Sequence, residues 1–287
     1  MSKYLFLGHG PICARLIQEI ILKNQDHEIA VYSKRTKKPS SPQICFLDNW
    51  KDVDLNNTDV VVNSWKTLYG DYERSRHEIL TEISQKLSDS RIFVNLSSVA
   101  VYGECQSEAD ENSRLTPVNE YGMLKLQLEK FLKEIEMPRL WNLRLSNVFG
   151  DASFDDVVNR AYMSAIHGKT LGMFAPSMVR RDFIRVDQVV KYVINLLETN
   201  VFKFSNGFID VNVSSGESLY LTDVLVIVEA VLGRKPLVDM FLKEEKMIIE
   251  SRISNKRLRS LSSVPVSSPE ADIRDYFHWL KMTETGN

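Results

Sequence analysis

The chain has 287 residues, enough to bury a full core and to hold one large domain or one domain with a smaller lobe. Its hydrophobic fraction of 44%, charged fraction of 26% and net charge of -2 are those of an ordinary globular protein, and they argue against a surface that coats nucleic acid. No apolar run approaches the ~20 residues that cross a bilayer, and the opening run of MSKYLFLGHG is too short for a signal peptide. The expectation is a cytoplasmic protein with neither a membrane nor a nucleic-acid partner. Cys13, Cys45 and Cys105 have no pairing or metal spacing, and the five histidines form no ligand cluster, so no metal is expected.

Lys3 to Leu7 reads as a buried parallel strand. Gly8, His9 and Gly10 follow, and Pro11 to Ile17 opens a helix, with proline where its missing N–H costs nothing. A strand, a glycine turn and a helix in that order can seat a dinucleotide pyrophosphate on a helix N-terminus. Gly8, Gly10, Pro11 and Ile12 are therefore cofactor-binding candidates. The turn reads G-x-G-x-x-C, with Cys13 where a third glycine belongs, and cysteine is small enough to be tolerated there.

His27 to Ser33 reads as the second strand, whose far end would meet the adenosine ribose. An acid there holds the 2′-hydroxyl of NAD, whereas basic residues accommodate the 2′-phosphate of NADP. The chain has Ser33-Lys34-Arg35-Thr36-Lys37-Lys38 and no acid. This favours NADPH, with Ser33, Lys34 and Arg35 as its contacts. NAD stays open, since a solvated basic loop reads the same way. A short third strand lies near 44–47 and a fourth at 59–63, followed by Ser64-Trp65-Lys66-Thr67. Tyr72 to Leu87 reads as a charged amphipathic helix.

The stretch from Asn95 to Lys125 carries the chemistry. An apolar run, Ile92-Phe93-Val94, ends in Ser97 and Ser98, and after a polar loop a helix brings Tyr121 and Lys125 four residues apart on one face. A free phenol has a pKa of about 10, and a nearby cation lowers it. Tyr121 could then trade a proton with a sugar carbonyl or alcohol near neutral pH, with Ser98 holding the same oxygen. None of these groups accepts a hydride, so a redox cofactor must do so. Of the ten tyrosines only Tyr121 has a lysine four residues later.

The order Ser98, Tyr102-Gly103, Tyr121, Lys125 resembles the extended short-chain dehydrogenase/reductases, in their NAD-dependent nucleotide-sugar epimerase/dehydratase branch. Three further stretches carry the likeness. Leu143-Arg144-Leu145-Ser146-Asn147-Val148-Phe149-Gly150 matches the family's L-R-x-x-N-V-x-G. Arg181 to Val190 matches RDFIHVDDVA in seven of ten positions. Phe208 to Gly216 holds N-V-x-S-G. The resemblance implies an α/β, Rossmann-like doubly wound parallel sheet with a smaller C-terminal substrate-binding lobe. Residues 1–165 would form the dinucleotide domain, with 187–213 partly returning to it, and 166–287 mainly the interleaved lobe. It implies that Lys125 also holds the nicotinamide ribose and that Leu145 borders the nicotinamide. Asn147 and Arg181 would bind the substrate diphosphate, with Arg252 a further phosphate contact. A homodimer would pair the Tyr72–Leu87 and Tyr121 helices. Asp187, and Thr222 or Asp223, are read as helix N-caps, and Arg144 alternatively as a structural ion pair.

Within this branch, Val99-Ala100 stands where dehydratases resemble one another in an Asp-Glu pair, which argues against dehydration. Cys105 lies too far along the loop for the mechanism of the GDP-fucose epimerase/reductases. The favoured expectation is an NADPH-dependent reductase of the 4-keto group of a nucleotide-linked 4-keto-6-deoxy sugar, as in deoxysugar and surface-polysaccharide synthesis. The alternatives are an NAD-dependent 4-epimerase and a non-catalytic NADPH-binding scaffold on the same fold.

Overall fold

Short runs rich in Val, Ile, Leu and Phe alternate with amphipathic segments along the chain; those at 3–7, 44–47, 60–63 and 92–94 fall in strands, whereas the run at 224–228 lies in a helix. The structure is a computed structural model, in which residues 2–33, 43–68, 75–88, 90–105, 107–174, 179–199, 207–241 and 248–285 are described. The first half runs β1 (Lys3–Leu7), α1 (Pro11–Lys23), β2 (Glu28–Tyr32), β3 (Ile44–Leu47), β4 (Val60–Asn63), α2 (Arg76–Lys86), β5 (Ile92–Ser98), α3 (Glu120–Glu134) and β6 (Leu140–Leu145). Then come β7 (Asn147–Phe149), α4 (Val157–His167), β8 (Leu171–Phe174), β9 (Arg180–Arg185) and α5 (Val186–Glu198). The chain closes with β10 (Phe208–Val213), β11 (Ser218–Tyr220), α6 (Leu221–Leu232), β12 (Val238–Phe241), α7 (Lys256–Leu261) and α8 (Pro269–Thr285).

Seven strands form one sheet in the order β10-β6-β5-β4-β1-β2-β3, with every pairing parallel. This is the Rossmann-like doubly wound sheet. The strand order reverses between β1 and β4, so a crevice opens there at the carboxyl ends of the strands. One face is covered by α1 and α5, through Leu16, Ile17 and Ile20 against Val189, Val190 and Val193. The other is covered by α2 and α3, through Ile79, Leu80, Ile83, Leu128 and Leu132. A second core gathers α4, α6 and α8 around Phe149, Tyr162, Tyr276 and Phe277.

The sheet also carries a buried polar row. Asn63, Asn95, Asn142 and Asp210 stand in register on β4, β5, β6 and β10. Each asparagine Nδ2 donates to the next side chain, at 2.9, 2.7 and 2.7 Å. Asp210 then meets Arg144 Nη2 at 3.1 Å. The Arg144 guanidinium also pairs with Glu129 at 2.8 Å, both side chains being 1% exposed. Ser97 Oγ donates to the same Glu129 carboxylate at 2.5 Å. Arg144 is thus the structural ion pair that was one of its two readings.

Three helix starts differ from expectation. The helix α2 begins at Arg76, because Ser75 Oγ accepts from Glu78 N–H and caps it, and 71–74 lie outside the described residues. Asp187 does not cap α5. The cap position is Arg185, and the Asp187 carboxylate sits in the first turn, accepting from Arg15 of α1 at 2.7 Å and pairing with Arg185 at 3.2 Å. There it still complements the positive helix end while tying α1 to α5. Neither Thr222 nor Asp223 is the cap of α6. Tyr220 is, and the Asp223 carboxylate reaches back to accept from its N–H at 2.8 Å.

Replacing Arg144 with methionine strands the Glu129 carboxylate without its ion partner inside the core. The expected loss is about 3–5 kcal/mol, read from the denaturant midpoint. A loss below about 1 kcal/mol, the level of an exposed pair, contradicts this role.

Candidate active site

The turn between β1 and α1 follows from two glycines. Gly8 has φ +96°, a left-handed conformation, and a Cβ there would come within 2.7 Å of Ser64 Oγ. Its N–H donates to Tyr32 O at 2.9 Å, tying the turn to the end of β2. Gly10 is the N-cap of α1, with open space where a Cβ would stand. A ligand can approach the backbone closely there, opposite N–H groups that the first helical turn leaves without intrahelical partners. Cys13 is fully buried and packs in the core of that face, so it meets the packing demand of a third glycine. Ser33 is buried just past β2. Lys34 and Arg35 lie outside the described residues.

At the end of β5, Ser98 Oγ accepts from Ala100 N–H at 3.2 Å and faces the Tyr121 phenol closely enough to favour its ionised form. The helix carrying Tyr121 starts where Asn119 Oδ1 accepts from Gly122 N–H at 2.8 Å. Gly122 allows the approach, since a Cβ there would come within 2.5 Å of Ala100 O. One turn on, Lys125 Nζ donates to Leu96 O at 2.8 Å and to Trp65 O at 3.1 Å. These bonds use two of its three donors. Burial pulls the Lys125 ammonium down to about 8, with the neighbouring Glu129 opposing the fall. The Tyr121 phenol is held above its ordinary value by burial, with Ser98 pulling the other way. The Lys125 ammonium, expected to lower the phenol, is held on two backbone carbonyls in this structure.

Gly10, Pro11, Ile12, Ser98, Tyr121, Lys125 and Leu145 line one cleft of about 610 Å³ at the strand switch point. Three expected phosphate contacts do not line it. Asn147 Nδ2 donates to Asp182 O at 2.9 Å. Arg181 donates to the backbone carbonyls of Arg180 and Ile249, at 2.8 and 3.3 Å, and to that of Ile248, and burial brings it down to about 10. Arg252 pairs with Glu250 at 3.0 Å. Among the cleft residues that were not anticipated, two carry charge. Lys66 reaches over the Tyr121 ring from the turn after β4, and Asp155 enters from the segment before α4, paired with Arg160 at 2.7 Å. The Ser64-Trp65-Lys66-Thr67 turn was the only signal for the first. Nothing in the sequence pointed to the second.

Against this geometry, the model of the NAD dependent epimerase/dehydratase family matches residues 8–213. The chain belongs to that family. Its matched span takes in the glycine turn, the Ser98-Tyr121-Lys125 set and the β9–α5 stretch. Among curated relatives, an uncharacterized UDP-glucose epimerase, YtcB of Bacillus subtilis, is 26% identical over 182 residues, covering 61% of this chain and 56% of YtcB. Among solved structures, MoeE5 in complex with UDP-glucuronic acid and NAD superposes with a TM-score of 0.81 at 17% identity, covering 97% of this chain and 99% of MoeE5. The UDP-glucuronic acid 4-epimerase of Bacillus cereus, in complex with UDP-glucuronic acid and NAD, gives 0.76 at 18%, covering 96% and 99%. At such identities the structural likeness is one of fold. Among the described residues no helix is long and apolar enough to cross a membrane.

In this family member the charge of Lys125 is lost as pH rises through about 8. Dinucleotide affinity, followed by NADH fluorescence, is expected to fall by up to about tenfold for each pH unit above that point. In Lys125→Met the affinity should be weak and flat with pH. An equally steep fall in the variant assigns the titration to another group.

Proposed function

We propose that the protein is a nucleotide-sugar 4-epimerase that removes and returns hydride at C4 of a hexose, using a retained NAD. The observation that carries this is the single cleft in which the glycine turn and α1 N-terminus meet Ser98, Tyr121 and Lys125. Gly10, Pro11 and Ile12 would hold the pyrophosphate of the dinucleotide, and Lys125 has one N–H left for its ribose. The dinucleotide supplies the hydride acceptor and donor. Tyr121 takes the proton from the 4-hydroxyl as hydride leaves and gives it back as hydride returns. Ser98, which lines the same cleft as the phenol, holds the same sugar oxygen.

The matching relative carries the name UDP-glucose epimerase, and solved neighbours hold NAD and UDP-sugars, which supports NAD and a uridine diphosphate handle. Dehydration is disfavoured because Val99 and Ala100 follow Ser98 in a short 3₁₀ turn and offer neither acid nor base. A second reading, the NADPH-dependent 4-ketoreductase, is favoured by the run from Ser33 to Lys38 with its four basic residues and no acid. It predicts stoichiometric loss of NADPH absorbance with a nucleotide-linked 4-keto-6-deoxyhexose.

Tyr121→Phe removes the proton carrier and leaves the cofactor turn intact. Turnover of UDP-glucose to its C4 epimer should fall by about 10²–10⁴-fold, with dinucleotide binding retained. Undiminished turnover would exclude Tyr121 from the chemistry.

A further inference from the structure

Tyr121 is 38% exposed as a residue, yet its surroundings disfavour ionisation of the phenol. Burial raises it, and the lysine one helical turn away spends two donors on Leu96 O and Trp65 O. A second cation stands near the ring. Lys66 leaves the turn after β4 and sets its Nζ 5.4 Å from the centroid of the Tyr121 ring, within cation–π range. It lines the same cleft as Ser98 and Tyr121. Among the described residues Lys66 makes no ion pair, so nothing there neutralises its charge.

The turn that presents Lys66 is fastened at several points. Ser64 Oγ donates to Leu7 O at 3.0 Å. Trp65 is buried, its N–H donates to Asn63 Oδ1 at 3.2 Å, and its carbonyl accepts from Lys125. Arg76 of α2 donates to Thr67 O at 2.5 Å. Lys66 is therefore the exposed member of a held turn, and its ammonium is delivered to one face of the ring.

We propose that Lys66 is a positioning residue for Tyr121, whose ammonium over the ring orients the phenol toward Ser98 and stabilises the ionised form that accepts the sugar proton. A cation over the face interacts more strongly with an electron-rich phenolate ring than with a neutral phenol, and it adds a direct attraction to the oxygen. Among the described residues, the other charged and titratable groups that line the cleft are Lys66, Lys125, Asp155 and the buried Cys13. Lys125 lies below it on α3, Lys66 over its ring, and Ser98 beside it on β5, while Asp155 across the cleft is paired with Arg160. Lys66 also contributes to the lowering of Lys125, since the two ammonium groups repel. The pair thus shares the work: Lys125 braces the backbone and the ribose side, and Lys66 acts on the ring.

The inference rests on Tyr121 being the proton carrier, so its test uses a readout that needs no substrate. The tyrosinate absorbance of the full chain is titrated with pH, and the Tyr121→Phe curve is subtracted to isolate Tyr121. Lys66→Met is expected to move the Tyr121 midpoint up by about 0.5 to 1 pH unit, and Lys66→Arg, which keeps the charge, to restore it. A midpoint unmoved in Lys66→Met overturns the proposal even if Tyr121→Phe is inactive. Conversely, full turnover by Tyr121→Phe would sink the proposed reaction whatever the titration shows. If Lys66→Met is misfolded by circular dichroism, Lys66→Gln, which also removes the charge, is titrated in its place with the same expected rise.

Discussion

The site depends on a charge pair that never touches the cleft. Glu129 stands one helical turn after Lys125 and two after Tyr121, on the same face of α3. Its carboxylate is buried against Arg144 of β6 and takes a further bond from Ser97 of β5. Because an unpaired charge at that depth is costly, the helix cannot rotate or slide without losing the bond set. Ser97 and Arg144 are paired in register, and the next residues along the same strands are Ser98 and Leu145, which line the cleft. The pin therefore lies one residue from Ser98.

From this pin a polar row runs back through the sheet, from Asp210 through Asn142 and Asn95 to Asn63, and couples the four strands on the α3 side. The last of these residues, Asn63, accepts from Trp65 N–H at the start of the turn that carries Lys66. One connected network thus reaches both elements that bring cations to Tyr121. Cooperative polar networks of this kind rigidify a core when every member is satisfied. They suit a site where a proton must move between fixed partners.

Much of this was legible in the sequence. Continuous apolar runs marked the strands, and β1 and β3 fall where the runs lie. Tyr121 and Lys125 announced themselves because their spacing is a helix period and the run before them ends in hydroxyls. The rest depends on tertiary contacts that spacing does not encode. Glu129 reads as an ordinary acidic residue on an amphipathic helix, and only the strand beneath α3 makes it a buried anchor. Arg181 and Asn147 carry family motifs, yet here their donors meet backbone carbonyls. Asp187 reads as a cap but finds a better partner in Arg15 across the helix pair. Lys66 could not be placed, because its meaning lies in how far one turn folds over the neighbouring helix.

The central claim is hydride removal and return at C4 in the cleft of Ser98, Tyr121 and Lys125. The most direct measurement follows the atom itself: UDP-glucose carrying deuterium at C4 is incubated with the protein and NAD and examined by NMR. The expected result is the C4 epimer with deuterium still at C4 and no net formation of reduced dinucleotide. Sugar recovered unchanged, or an epimer whose C4 deuterium has been replaced by hydrogen from water, contradicts the account.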